Sequence, residues 1–424
     1  MRYEDHMSAS YPIRPIDDSE LEGFAYVADH AFNSTWPREE VLRIDRMVVE
    51  PERSLVAFDR DQMVGTTLVL SFGMTVPGGE VLGTAGVSGV SVLPTYRRRG
   101  ILTSLMRRQL DDIAAGSEPL AALFASESAI YGRYGYGQAA PDYRFTLHRG
   151  DGQLRPLPAG ALPAPALRLA DPKDALAEMK TVYETLRPSR PGMLTQHDGW
   201  WNALVADPEF MREGNTPQTC VIAEDDSGPR GFALYVAKPE WGSDGIPAQV
   251  LMVRELFWTD PAACAALWAD LLSRDLVGEI RAKDRPVDDP ILQMLVDQRR
   301  ARTRVSDGLY IRIVDLPAAL MGRAYASAVD VVIEVADALL PANVGRWRLQ
   351  AGGPRDGGKP VCERSTAEAD ISMPVTALGA AYLGGTRLGA LAQAGQLTEH
   401  RPGALAELST AMWWDPAPWS PRNF

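Results

Sequence analysis

Apolar and polar positions along the chain fall into strand-like runs interleaved with helical ones. In the first third, "RSLVAFD" and "QMVGTTLVLSFGMTV" are apolar runs joined by a tight turn, and "GVSGVSVLP" is a strand punctuated by glycine. Residues 21–32 are helical in spacing, and from 101 to 115 Leu102, Leu105, Met106 and Ile113 recur near a helical period. "PLAALFAS" reads as one more short strand, followed by a short helix around Ala129–Arg133. The alternation predicts a mixed α/β (α+β) fold.

The same flavour returns further on. "TCVIAED", "RGFALYVAK" and "AQVLMVRELFW" read as strands and "PAACAALWADLLSRDL" as a helix. The order strand "VLMVRELFW" then helix echoes "GVSGVSVLP" then "RRRGILTSL", without the Arg/Gly segment between them. The last part holds the strands "GLYIRIVD", "DVVIEVAD" and "RWRLQA", the helical "VTALGAAYLGG" and "RLGALAQAG", and an aromatic, proline-rich tail. Residues 149–172, rich in Pro, Ala and Gly, read as a linker, and a second break falls within 282–308. Since 424 residues exceed one ordinary core, three units follow: 1–155, 160–300 and 301–424.

Composition adds exclusions. A net charge of −12, from 43 basic and 55 acidic residues, argues against a general nucleic-acid or anionic-membrane binder. Cys220, Cys264 and Cys362 lie far apart and the five histidines are scattered, so neither a disulfide framework nor a metal site is expected. No stretch approaches the roughly 18 apolar residues of a membrane span, and "MRYEDHMSAS" is followed by no apolar leader. The expectation is a cytoplasmic protein.

Against that acidic background, Arg97-Arg98-Arg99-Gly100-Ile101-Leu102 stands between a strand and a helix. The first N–H groups of a helix lack partners and its dipole is positive there, so an anion is stabilised. Glycine permits close approach to the backbone, and guanidiniums add charge-assisted contacts to phosphate oxygens. These features suit a diphosphate; a P-loop is excluded, because no GxxxxGK[ST] occurs.

Strand, R-R-x-G-x, helix resembles the coenzyme A pyrophosphate loop of the GCN5-related N-acetyltransferases (GNAT). That pattern is Q/R-x-x-G-x-G/A, and Arg97-x-x-Gly100-x-Leu102 has leucine at its last place. "TAGVSGVSVLPTYRRRG" and "ASESAIYGRYGYGQA", with its Y-G-R-[FY]-G-Y-G, resemble the enhanced intracellular survival (Eis) family of these enzymes, as do "VRELFW", "DGLYIRIVDLPAALMGRAYA" and "ALGAAYLGG". The resemblance implies two tandem GNAT-like domains, the second without cofactor, and a C-terminal sterol-carrier-protein-like α/β domain. It implies acetyl-CoA as cosubstrate, bound along Val90, Ser91 and Val92 and by Arg97 to Leu102, and no metal. A homo-oligomer, hexameric in that family, is also implied.

Acetyl transfer from a thioester to an amine poses two proton problems. An alkyl ammonium, with a pKa of about 10, must lose a proton before it attacks, and the departing thiolate, of pKa about 8.5, is matched by a phenol near 10. The resemblance gives the acid role to Tyr131, the first tyrosine of the motif, with Tyr134 and Tyr136 structural. The base role falls to the terminal carboxylate of Phe424, with Trp413, Trp414 and Trp419 available to anchor it.

Family members that accept aminoglycosides hold these polycations in an acidic pocket. One acid lies just after an early helix and a glutamate precedes the terminal phenylalanine. Here the penultimate residue is Asn423, and Asn33 and Ser34 occupy the place of the early acid. Phe32 and Trp36 remain as expected pocket walls, and Glu39 and Glu40 are the nearby acids available to compensate. The expected activity is acetyl-CoA-dependent N-acetylation of a small-molecule amine such as an aminoglycoside. A protein lysine or another amine is the alternative acceptor, and a non-catalytic acyl-CoA or lipid-binding protein the alternative from another class.

Overall fold

The structure, a computed structural model, describes residues 11–34, 37–158 and 160–424. The first half holds β1 (Ile13–Pro15), α1 (Leu21–Phe32), α2 (Arg38–Val48), β2 (Ser54–Asp59), β3 (Gln62–Thr75), β4 (Val81–Val92), α3 (Ile101–Ala114), β5 (Leu120–Phe124), α4 (Ser128–Tyr131) and β6 (Gly137–His148). The second holds β7 (Ala166–Ala170), α5 (Leu176–Leu186), α6 (Asp198–Ala206), β8 (Thr219–Asp225), β9 (Gly228–Lys238), β10 (Gln249–Trp258), α7 (Pro261–Ser273), β11 (Val277–Arg285), the one-turn α8 (Ile291–Met294) and β12 (Arg304–Ile313).

These twelve strands make one continuous sheet in the order β1-β2-β3-β4-β5-β12-β6-β11-β10-β9-β8-β7. The two halves therefore share a hydrogen-bonded surface: β12 lies between β5 and β6, and β6 pairs with β11. Strand periodicity sorts the first half's core onto two faces. Val69, Ala85, Val87, Ala121 and Leu123 face Met106, Leu110 and Ile113 of α3, whereas Leu68, Leu70, Phe72 and Ala122 join Leu21 and Phe24 of α1 on the other side.

The third part adds α9 (Leu316–Met321), β13 (Val329–Ala336), β14 (Gly345–Ala351), β15 (Val361–Arg364), β16 (Ile371–Pro374), α10 (Val375–Ala381), α11 (Leu388–Gln393), β17 (Thr398–Glu399) and α12 (Ala404–Met412). Its five-stranded sheet runs β15-β14-β13-β16-β17. A buried ion pair, Arg312 on β12 to Asp337 just after β13 at 2.7 Å, ties it to the large sheet. No described helix is long and apolar enough to cross a membrane.

The structure differs from the sequence reading in two places. The proline-rich stretch 149–172 contains β7, whose position at the sheet's edge tolerates flanking prolines. The break read within 282–308 begins inside β11, whose outer face is charged (Glu279, Arg281, Lys283) while Val277, Ile280 and Ala282 are buried.

After α12 the tail returns across the second half toward the first. Arg323, 1% exposed, donates to the carbonyls of Met412, at 2.7 Å, and Tyr382 where the tail departs. Trp419, equally buried, stacks near Phe257 and beneath the guanidinium of Arg285, and its Nε1 donates to the Asp284 carbonyl at 2.7 Å. Arg190 grips Asp288 and donates to the Ala417 carbonyl at 2.7 Å. Arg422 pairs with Glu255, donates to Gln196 and lies 4.1 Å over Trp201. The last residue is thus held by the second half and presented to the first.

Candidate active site

The site forms where β4 and β5 part. Their parallel ladder covers only Thr84–Gly86 against Leu120–Ala122. Beyond it β4 carries a bulge: Thr66 pairs with Ser91 and Leu68 with Ser88, so Gly89 and Val90 oppose Thr67. Gly89 takes the left-handed conformation, φ 58°, that the bulge requires. Bending bulges and the end of the ladder leave the β5-facing edge of Val87–Val92 without a strand partner among the described residues.

Of the residues expected along this edge, Val90 packs against the cluster that contains Tyr131, and Val92 against that of Leu93 and Ile101. Ser91 is buried and its hydroxyl lies 2.5 Å from that of Thr66, so only its backbone is available to a ligand.

The Arg–Gly turn stands at the end of this edge. Gly100 caps α3 in the left-handed region, φ 80°, with no side-chain cap on the helix and open space where a Cβ would sit. Ile101 is buried beneath the turn and Leu102 packs against the Tyr131 cluster. All three arginines are exposed. Arg99 is occupied, donating to the Thr95 carbonyl at 3.0 Å and stacking on Tyr96, whereas the guanidiniums of Arg97 and Arg98 have no partner among the described residues. Uncapped N–H groups, an accessible glycine and two free guanidiniums fit the diphosphate of coenzyme A, and the bare edge of β4 fits its amide-bearing arm.

Tyr131 ends α4 and is 8% exposed, in one apolar cluster with Val87, Met106 and Leu123. Its hydroxyl has no hydrogen-bond partner among the described residues. Burial, reinforced by Tyr134 and Glu127, pushes its pKa up to about 12, which keeps the phenol protonated. Tyr134 is tied to Thr103 of α3 at 3.3 Å, and Tyr136 is buried with its ring 6.1 Å from that of Tyr131. The motif's glycines have steric reasons. A Cβ at Gly135 would lie 2.6 Å from Arg312 Nε, and one at Gly137 would lie 2.0 Å from the Thr376 carbonyl of α10.

Phe424 reaches the opposite face of the sheet. The Phe424 carbonyl oxygen accepts from Ser88 Oγ at 3.0 Å, and the Phe424 ring lies 5.0 Å from Phe72 and 5.3 Å from Phe124. Gly86, the last paired residue of β4, makes room: a Cβ there would stand 2.5 Å from Phe72 and 3.0 Å from the Phe424 ring. Tyr131 and Phe424 therefore approach the parting strands from opposite faces. Ser88 was not singled out by the sequence, because its partner is contributed from the far end of the chain.

Beside the tail, Trp200, Ile44, Met211, Arg254, Lys283 and Asn423 line a cavity of about 420 Å³. Phe32 is 51% exposed at the end of α1; Trp36 lies outside the described residues. Asn33 is the left-handed cap of α1, and Ser34 donates to Asp29 at 2.8 Å. Asp29 also pairs with Arg38 at 3.0 Å, and Asp45 of α2 is pushed up to about 6 by burial and by Asp29. This acidic pair carried no motif.

Residues 12–139 and 192–313 each match the acetyltransferase (GNAT) domain, and 316–421 match the sterol carrier protein domain; the fold is that of a GCN5-related N-acetyltransferase. An uncharacterized N-acetyltransferase of Streptomyces coelicolor is 44% identical over 93% of this chain and 95% of its own. N-acetyltransferase Eis of Mycobacterium tuberculosis is 35% identical over 82% and 83%, respectively. The crystal structure of Eis1 from Mycobacterium abscessus superposes with a TM-score of 0.80 at 31% identity, covering 97% of this chain and all of that one. The chain belongs to the Eis family of N-acetyltransferases.

Proposed function

We propose that the enzyme transfers acetyl from acetyl-CoA to a primary amine, with Tyr131 as general acid and the Phe424 carboxylate as general base. The observation that carries this reading is that the two groups approach the β4–β5 opening from opposite faces. A thioester held between the strands would be met by the amine on the Phe424 side, while its sulfur departs on the Tyr131 side.

Acetyl-CoA supplies the activated acyl group when bound. Arg97, Arg98 and the α3 N-terminus hold its phosphates, and the free edge of β4 orients its arm. The Phe424 carboxylate, steadied by Ser88, takes a proton from the ammonium, directly or through water. A C–N bond then forms, the C–S bond breaks, the Tyr131 hydroxyl gives its proton to the leaving sulfur, and the second proton shed by the acylated nitrogen restores the phenol through solvent. The aromatic wall of Phe72, Phe124 and the Phe424 ring excludes water from the reacting carbonyl.

An aminoglycoside is one acceptor consistent with the family, although Asn423 and Asn33/Ser34 leave neutral side chains where polycation binding needs charge. The test is coenzyme A thiol release with an aminoglycoside, a polyamine and a lysine peptide. Release with any amine supports the reading, and silence with all amines despite acetyl-CoA binding counts against it.

A further inference from the structure

A second groove, of about 560 Å³, lies where β12, β6, β11 and β10 run side by side. The buried face of these strands (Phe145, Leu147, Ile280, Ala282) packs with α7, and the groove occupies the other face. Arg144, Arg254, Arg281, Lys283, Arg302 and Arg304 line it, against the single acid Glu279. In a chain with 55 acidic and 43 basic residues, such a local excess is not a product of composition.

Three cations are already paired. Glu279 takes Arg281, Asp151 takes Arg302 at 2.8 Å, and Lys283 stands 3.4 Å from Asp284. The guanidiniums of Arg144, Arg254 and Arg304 have no hydrogen bond or ion pair among the described residues. Arg144 and Arg304 are moreover direct partners across the antiparallel β12–β6 ladder. Like charges at such positions repel and destabilise the pair. A phosphate between them turns the repulsion into two charge-assisted contacts, the geometry guanidiniums recognise best.

The groove does not stand apart from the acceptor side. Arg254 and Lys283 line both it and the cavity that Asn423 borders, one residue from Phe424. We infer that the groove holds the anionic part of the acceptor, so that the substrate is an amine carrying a phosphate group, its nitrogen directed to the Phe424 carboxylate. This rests on the acetyltransferase reading above, and the transfer step is unchanged: one ammonium proton goes to the carboxylate, C–N forms, C–S breaks, Tyr131 protonates the sulfur, and the second nitrogen proton restores the phenol through solvent. It also accounts for the neutral Asn423, since an acid there would repel such a substrate.

The experiment measures kcat/KM by thiol release for glucosamine, glucosamine 6-phosphate and a lysine peptide, with wild type and the surface variant R144Q/R254Q/R304Q. Acetyl-CoA affinity of the variant serves as the folding control. Wild type should favour glucosamine 6-phosphate over glucosamine by about tenfold or more, as one charge-assisted contact implies, and the ratio should fall toward one in the variant.

Equal efficiencies, or a preference that survives in the variant, overturn the inference. Turnover of the lysine peptide alone overturns the phosphorylated substrate but leaves the acetyltransferase reading; no release with any amine overturns both. Sedimentation that shows copies of the chain assembling in wild type and separating in the variant, without a phosphate preference, assigns the groove to self-association and also overturns it.

Discussion

Ser88 Oγ donates to the Phe424 carbonyl oxygen at 3.0 Å, joining β4 to a residue more than three hundred positions away, whose carboxylate is the base proposed above. A hydrogen bond to a charged group contributes about 1.5–3 kcal/mol. Ser88→Ala should therefore lower kcat/KM by roughly ten- to a hundredfold, with acetyl-CoA affinity retained. Extending the chain past Phe424 should do more, because it removes the carboxylate itself; an extended enzyme of full activity, in a thiol-release assay, would eliminate the base role.

Tyr131→Phe should cut kcat by about two to four orders of magnitude, the usual range for one general acid, while acetyl-CoA binding stays near wild type. Because burial raises the phenol to about 12, above the ordinary value near 10, the acid remains protonated in the alkaline range. The rate should thus rise with pH as the amine deprotonates and fall only as pH nears that value. The same shift binds a proton more tightly in the folded state, so its contribution to stability is complete below about pH 10 and is lost as pH rises through 12. A wild-type alkaline limb near neutrality would argue against Tyr131.

Gly86→Val and Gly100→Val should fail in different ways. At Gly86 a Cβ collides with Phe72 and the Phe424 ring, so turnover should drop while acetyl-CoA still binds. At Gly100 an added Cβ meets no protein atom, but a β-branched residue must adopt φ 80°, a strain of about 1–3 kcal/mol. It also blocks approach to the α3 N-terminus, and the acetyl-CoA dissociation constant should rise about tenfold. Calorimetry on both variants separates the two sites.

Asp45→Asn should stabilise the protein above neutral pH. Burial, together with Asp29, raises the native carboxyl to about 6, so the folded state holds its proton more tightly than the unfolded chain, whose value is about 4. That contribution is complete below pH 4 and is lost as pH rises through 6. The gain in melting temperature should be visible at pH 8 and shrink toward pH 4.5; an equal gain at both would implicate packing instead.

Much of the fold is readable from local pattern. The helix at 21–32 and the start of α3 at Ile101 lie where spacing places them, since an amphipathic helix and a glycine turn advertise themselves within a few residues. Strands β8, β9 and β10 are marked by their apolar runs. β11 escaped because one of its faces is ionic. The shared sheet escaped because nothing local in β12 says that its neighbours are β5 and β6.

The candidate site divides in the same way. The phosphate loop and Tyr131 sit in contiguous motifs, and resemblance alone supplied the Phe424 carboxylate. Ser88 and Phe424, Asp45 and Asp29, and Arg144 and Arg304 become neighbours only when segments apart in the sequence are brought together. An isolated arginine in a sequence is a solvated side chain until the fold gives it a neighbour of the same sign.

The insertion of β12 between β5 and β6 has a temporal side. As the chain emerges from a ribosome, β5 waits with one bare edge while nearly the whole second half is synthesised, and the cofactor opening is not braced until Ile313 has appeared. Non-local pairings of this kind fold slowly and expose strand edges in the meantime. Assembly of the catalytic half is thereby scheduled late, and a nascent or truncated chain lacking β12 has no finished opening in which to perform the transfer.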